Sequence, residues 1–262
     1  GDLGAEVVKI EKPRRGDPTR CVNASERYSN DIPRTGGDYF LAVNRNKRTI
    51  TLDLKDSEDV EVLLRLVDDA DVLVENFRPG TLERLGLGPE VLHARNPRLV
   101  ITRVTGFGQT GPYAGRAGFA TIAESMSGLS AISGEPDGQP LLPPIALTDE
   151  VTGVVAAFAT MVALHSGVGQ VVDVSLLESL FQLMSPLVSL YGVTGEQQGR
   201  LGAGLPYTVP RGTYRCRDGK WVGVSASSDS VAARVNALLG VGDDPRFVTF
   251  TDRMANRDAL EA

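Results

Sequence analysis

The sequence predicts an α/β protein with parallel strands that leads into a smaller α+β domain, and three observations carry that reading. Short β-rich runs alternate with helical patterns through the first two-thirds of the chain. One run, a helical stretch and a second run have the spacing of a βαβ unit, whose strands lie parallel across a right-handed crossover. After residue 195 the alternation gives way to a Gly- and Pro-rich stretch, a hairpin pattern and a helix. Domains are therefore expected over residues 1–195 and 196–262, the second comprising a linker and the start of the smaller unit.

The elements follow in order. Glu6 to Ile10 ("EVVKI") and Arg48 to Leu54 ("RTITLDL") read as strands. In "DSEDVEVLLRLVDDA", Val60, Leu63, Leu64 and Val67 recur at i, i+3, i+4 and i+7, one face of a helix. Asp56 or Ser57 caps it, and Glu58 and Asp59 put negative charge in the first turn, where the helix dipole favours it. The run beginning at Asp71 completes the βαβ unit. Pro89 to Ala94 reads as a short helix, Leu99 to Val104 as a buried strand and Val151 to His165 as an apolar helix. Val171 to Val174 is a short strand, and Leu176 to Leu190 a helix interrupted at Pro186. "GEQQGRLGAGLPYTVPRG" reads as a linker. "GTYRCRDGKWVGVSAS" is a hairpin turning at Asp218-Gly219, a pair that tolerates positive φ. A helix from Asp229 to Leu239 follows.

Composition excludes several classes of function. The chain is 42% hydrophobic and 23% charged, ordinary for a soluble globular protein. A net charge of −6 argues against a nucleic-acid surface. Cys21 and Cys216 lie in no metal-like spacing and suit a reducing cytoplasm. The longest apolar stretch, Val151 to Leu164, contains Thr and Gly and is too short to span a bilayer. No signal peptide is visible. The chain opens on Gly1 rather than Met, so an incomplete sequence is expected.

"DVLVENFRPGTLERLGL" begins like a buried strand and ends in Glu75, Asn76, Phe77 and Arg78 before Pro79 and Gly80 turn the chain. A polar turn is the plain explanation. The functional one is a ligand at the carboxyl end of a parallel strand, where open α/β folds bind them. Basic residues gather in loops beside the strands: Lys12, Arg14 and Arg15, then Lys47 and Arg48, then Arg78 and Arg84. Singly each is solvated surface; together they suit a phosphate-rich ligand.

Three further features compete for chemistry. Gly106 to Gly111 matches G-x-G-x-x-G, but Pro112 follows where a dinucleotide site needs a helix N-terminus. No acidic strand end follows at about 20 residues either, so the segment reads as a mobile glycine-rich loop. His93 and His165 stand near no Ser or Cys motif and are too few for a transition metal, so both read as structural. Asp149 directly precedes the apolar helix. It reads first as an N-cap, yet the same helix terminus stabilises an ionised carboxylate, a usable oxygen nucleophile.

Six stretches, in this order, resemble the class III CoA-transferases, the family of formyl-CoA and carnitine CoA-transferases, whose fold the α-methylacyl-CoA racemases share. They are "GDLGAEVVKIEKPRRGDPTR", "NRNKRTITLDLKD", "DVLVENFRPGTLERLGL", "NPRLVITRVTGFGQTGPYAGRAGF", "TDEVTG" and "GQVVDVSLLES". The resemblance covers nearly the whole chain. It implies a Rossmann-like doubly wound large domain, a smaller α+β domain and a homodimer whose chains interlock. It also implies coenzyme A as substrate and product, with no metal. Lys12 matches a basic residue on the adenosine phosphate, and Leu52, Asp53, Leu54 and Lys55 match the segment lining adenine and ribose. Asn76, Phe77 and Arg78 match the strand end against CoA, Arg84 a phosphate-binding arginine, and Asp149 the catalytic aspartate.

The implied chemistry moves CoA from an acyl-CoA to a carboxylic acid through an aspartyl anhydride and an aspartyl-CoA thioester. Alternatives on the same fold are an acyl-CoA racemase or isomerase and a non-catalytic CoA-binding subunit. The racemases carry Gly-His-Asp where this chain has Gly118-Phe119-Ala120, and their supporting glutamate aligns with Ser228. The family's opening strand and glycine-proline loop would precede residue 1, and its carboxyl-terminal part would follow Ala262. No glycine-rich flap of the formyl-CoA transferase kind appears between Val209 and Trp221. "VALHSGVGQ" is short for the family, so a gap near His165 to Gly167 is expected.

Overall fold

The computed structural model describes residues 1–21 and 37–261. It divides into two compact units, Gly1–Arg103 with Ala159–Val172, and Val104–Phe158 with Asp173–Ala262. In the first unit, β1 (Val7–Glu11) and β2 (Lys47–Thr51) pair in parallel, with α1 (Asp38–Val43) ahead of β2. A second sheet has the order β3 (Val72–Glu75), β4 (Val100–Thr105), β5 (Gln170–Ser175). β3 and β4 are parallel, with Val72 opposite Val100 and Glu75 opposite Arg103. The architecture is thus mixed α/β with parallel strands. The βαβ unit expected over β2, α2 and β3 does not form, because β2 bonds to β1 in one sheet and β3 to β4 in another; each of these pairs is parallel.

α2 (Ser57–Asp69) forms where the periodicity predicts it, with the Asp56 carboxylate accepting the Glu58 N–H at 2.8 Å. Its Leu63 and Val67 enter a core with Leu52, Leu82, Leu87, Leu92, Leu99 and Ile101. α3 (Thr81–Arg84) and α4 (Pro89–Arg95) bring Leu82 and Leu92 to that core. β2 ends at Thr51, earlier than predicted, and Leu52 keeps its alternation, buried two residues after the half-buried Ile50. Buried Asn96 ties the end of α2 to the turn before β4. Its amide donates to the carbonyls of Val67 and Ala70, each at 2.9 Å, and its oxygen accepts the Arg98 N–H at 3.1 Å.

The second unit contains α5 (Ala120–Met126), α6 (Leu129–Ile132) and the first part of α7 (Leu147–Ser166). α8 (Leu176–Leu183) and α9 (Ser185–Thr194) meet at a 67° bend at the predicted Pro186 interruption. β6 (Arg211–Arg215) and β7 (Trp221–Ser225) form the predicted hairpin, with Gly219 at φ 83. α10 (Asp229–Leu238) is capped by Ser228, and α11 (Phe250–Ala255) and α12 (Arg257–Glu261) follow. Val209, Phe247 and Leu260 form the local core.

Two expectations about α7 change. The helix runs 20 residues at a mean hydropathy of 1.5, so by length and composition it is long enough to cross a membrane, contrary to the sequence estimate. It starts at Leu147, because the polar first turn joins the apolar run. A core or interface helix passes the same test. The connection after it is short. Gly167 at φ 70 donates to the Leu164 carbonyl at 3.1 Å, a left-handed helix cap that leads directly into β5.

Asn96→Ala is expected to destabilise the protein by about 1–3 kcal/mol, because it removes both amide bonds to the end of α2 and leaves the Val67 carbonyl with only the 3.3 Å bond from the Ala70 N–H. The urea midpoint of the unfolding transition measures this, and a midpoint equal to the parent's would refute it.

Candidate functional site

The first unit holds every predicted CoA contact. Leu52 N–H donates to the Glu11 carbonyl at 3.0 Å, so Lys12 and the segment 52–55 leave the same end of the β1–β2 pair. Asp53 organises this turn. Its N–H reaches the Asp59 carboxylate at 2.7 Å, and its own carboxylate accepts the Lys55 N–H at 3.2 Å. The Leu52 side chain lies in the core, which leaves only its backbone to face a ligand. Leu54 is half-buried against that core, while Lys12 and Lys55 are exposed. Asn76, Phe77 and Arg78 leave the carboxyl end of β3 with exposed side chains. Arg84 is exposed in α3, its guanidinium 2.8 Å from the Thr81 hydroxyl. The remaining basic loop residues divide, for Arg48 pairs with Glu6 whereas Arg14 takes a positive φ of 63°.

The charged cluster that ends β3 has an internal explanation that sequence reasoning missed. Glu75 is buried, and its carboxylate accepts from Arg103 Nε at 2.6 Å and from the Phe77 N–H at 2.6 Å. Arg103, inside β4, also reaches Glu83 of α3 at 2.8 and 3.3 Å. Burial pulls the Arg103 pKa down, but the Glu83 and Glu75 carboxylates outweigh it and hold it above its ordinary value. The signal was present in "LVITRVT", where a charge interrupts an apolar strand and must find a partner.

The second unit holds Asp149, and the structure moves it. It is the third residue of α7 and lies inside the first turn rather than ahead of it. Partial burial raises its pKa above the ordinary aspartate value, and the Glu124 and Glu150 carboxylates add to the shift. Its side chain also meets solvent, which screens part of that push. Glu124 is buried in α5, its Oε1 accepting the Thr148 hydroxyl at 2.9 Å. Nothing local in the sequence connects Glu124 with Asp149.

The glycine-rich loop is fastened, which corrects the expectation of a mobile one. The Gln109 N–H donates to Asp173 at 2.8 Å, and the Gly106 carbonyl accepts from Leu177 N–H and Ser175 Oγ. A Cβ on Gly106 would sit 2.6 Å from Gly118 Cα, so glycine is required by close backbone approach. Phe119 directly precedes α5 and is exposed, Ala120 follows, and Ser228 Oγ accepts the Val231 N–H. These positions carry no ionisable side chain. His93 Nε2 donates to the Leu99 carbonyl at 3.0 Å, a structural role, and His165 is exposed in the last turn of α7. Among the described residues, no group of three or more His, Cys, Asp and Glu side chains could hold a metal ion.

Comparison with known proteins adds a match along the whole length. The family model for CoA-transferase family III matches residues 1–262. A succinyl-CoA–D-citramalate CoA-transferase of Chloroflexus aurantiacus is 42% identical over 99% of this chain and 65% of its own length. A succinate–glutarate CoA-transferase of Agrobacterium fabrum is 38% identical over 98% of this chain and 66% of its own. The chain thus spans slightly less than two-thirds of either relative. The crystal structure of a CAIB/BAIF family protein from Brucella suis superposes with a TM-score of 0.83 at 36% identity, covering 99% of this chain and 70% of that one. The order of strands and helices, the polar end of β3 and the whole-length match lead to one conclusion: the chain belongs to CoA-transferase family III.

Proposed function

We propose that this chain forms the CoA-binding and nucleophile-bearing part of an acyl-CoA:carboxylate CoA-transferase. Asp149 carries the reading: a carboxylate in the first turn of an apolar helix, in a chain that matches the family model throughout. An Asp149 oxygen attacks the donor thioester carbonyl, the C–S bond breaks, and CoA leaves as thiolate with an aspartyl acyl anhydride behind. The thiolate then attacks the Asp149 carbonyl, giving aspartyl-CoA thioester and releasing the donor acid. An acceptor carboxylate attacks that thioester, and returning thiolate takes up the acceptor's acyl group and frees Asp149. One thioester becomes another, so the relay consumes no ATP. Water must be excluded while the anhydride exists, because hydrolysis would discharge it.

CoA is held, on this reading, by Lys12, the Leu52 backbone, residues 53–55, Asn76, Phe77, Arg78 and Arg84, with cationic groups on phosphate. The relatives' names pair succinyl-CoA with D-citramalate and succinate with glutarate, so we propose a succinyl-type donor and a dicarboxylate acceptor. A large domain over 1–195, a smaller one starting after the linker, an interlocked homodimer and a cytoplasmic location complete the proposal. Val154, Phe158, Met161 and Val162 of α7, all exposed here, suit burial in such an assembly.

Three outcomes test it. Asp149→Asn abolishes transfer without unfolding the protein, and hydroxylamine added during turnover leaves a hydroxamate on Asp149 of the parent, read by peptide mass spectrometry. Label on Glu178 or another carboxylate would sink the assignment. Arg84→Ala weakens CoA binding by about 1.5–3 kcal/mol in calorimetry through loss of a charge-assisted bond; an unchanged affinity removes Arg84 from the site.

The third outcome concerns pH. A folded-state pKa above the unfolded one means that Asp149's contribution to stability is present at low pH and lost as pH rises through the folded value. Ionisation is needed for attack, so kcat/KM falls as pH drops through that same raised value. Glu124→Gln removes a like charge and moves the acid limb to lower pH. Asp149→Asn melts above the parent at neutral pH, by a margin that shrinks toward the ordinary aspartate range. A pH–rate profile that Glu124→Gln leaves in place would disprove the electrostatic role.

A further inference from the structure

A buried ion pair is a poor source of stability, because desolvating two charges cancels most of their attraction and apolar isosteres often do better. β4 nevertheless carries Arg103 beside fully buried Val100 and Ile101. The arginine side chain is only 6% exposed, so it lies too deep to touch a ligand itself. Its geometry shows what it does hold. Nε grips Glu75 Oε1, and Glu75 Oε2 accepts the Phe77 N–H, which fixes the backbone two residues beyond the strand. The other end of the fork takes both oxygens of Glu83, the immediate neighbour of Arg84 in a helix of four residues. One guanidinium therefore connects the two segments that present Asn76, Phe77, Arg78 and Arg84.

We propose that Arg103, acting through Glu75 and Glu83, is a positioning residue for CoA: it locks the strand end and α3 into the spacing that the ligand requires. The inference rests on the CoA-transferase reading above. Lysine cannot replace the arginine, because a single ammonium has no planar fork to span two carboxylates. Glu83 offers the mild test, its side chain being 43% exposed, so that its loss leaves the core intact.

The experiment uses the full-length protein, free CoA in titration calorimetry, succinyl-CoA in steady-state kinetics and thermal unfolding as control. Glu83→Gln should weaken CoA binding roughly tenfold, about the effect of one charge-assisted hydrogen bond. Its melting temperature should stay close to the parent's, and the loss should appear in KM for succinyl-CoA and not in kcat. Arg103→Lys should also weaken CoA binding although it keeps the charge. If both variants bind CoA as the parent does, the inference is overturned and the CoA reading stands. The same holds if Glu83→Gln loses only melting temperature. A parent that does not bind CoA overturns both together.

Discussion

A guanidinium in the interior of a sheet must be matched on every side or the strand that carries it will not stay buried. In this protein Arg103 is matched by two carboxylates from different segments, and the matching sets the course of the chain beyond β3. The strand end is polar because its first charged residue looks inward, which frees the next three to look outward. The glutamate and the exposed Asn-Phe-Arg sequence are thus two halves of a single arrangement, one structural and one presented to solvent.

Asp149 shows the opposite economy of charge. Its place in the first turn of α7 is one where backbone N–H groups favour an anion. Around it, however, partial burial and the carboxylates of Glu124 and Glu150 resist ionisation. Glu124 cannot turn away, since the Thr148 hydroxyl holds it, and Thr148 is itself fixed in a fully buried position. A carboxylate kept under such opposition is more basic than a free aspartate, and greater basicity goes with greater nucleophilic strength once the proton has left.

Much of this was legible in the sequence, and the limits are physical. α2 declares itself because thirteen residues give three full turns of periodicity and a capping aspartate. The bend at Pro186 and the turn at Asp218-Gly219 are written in residues with restricted or special backbone preferences. α1, α3, α5 and α6, of four to seven residues, are too short for a period to emerge. They exist because tertiary packing holds them. Strand partners are less legible than strands, as β2 and β3 follow one another in sequence yet bond to other neighbours. At the site, the basic and polar loop residues could be marked by type. The support beneath them could not, since Arg103 lies 28 residues from Glu75 and Glu124 lies 24 from Thr148.

The contact between Gly106 and Gly118 makes a neck where two backbones touch, and residues 107–117 form a lobe beyond it. A neck of this kind separates the evolution of the lobe from that of the scaffold. Sequence and even length can drift between Gln109, which Asp173 holds, and Gly118, while Phe119 and the start of α5 keep their place, provided that the neck itself never gains a side chain. Diversity among descendants of this chain should therefore accumulate inside the lobe, as new contours on an unchanged frame.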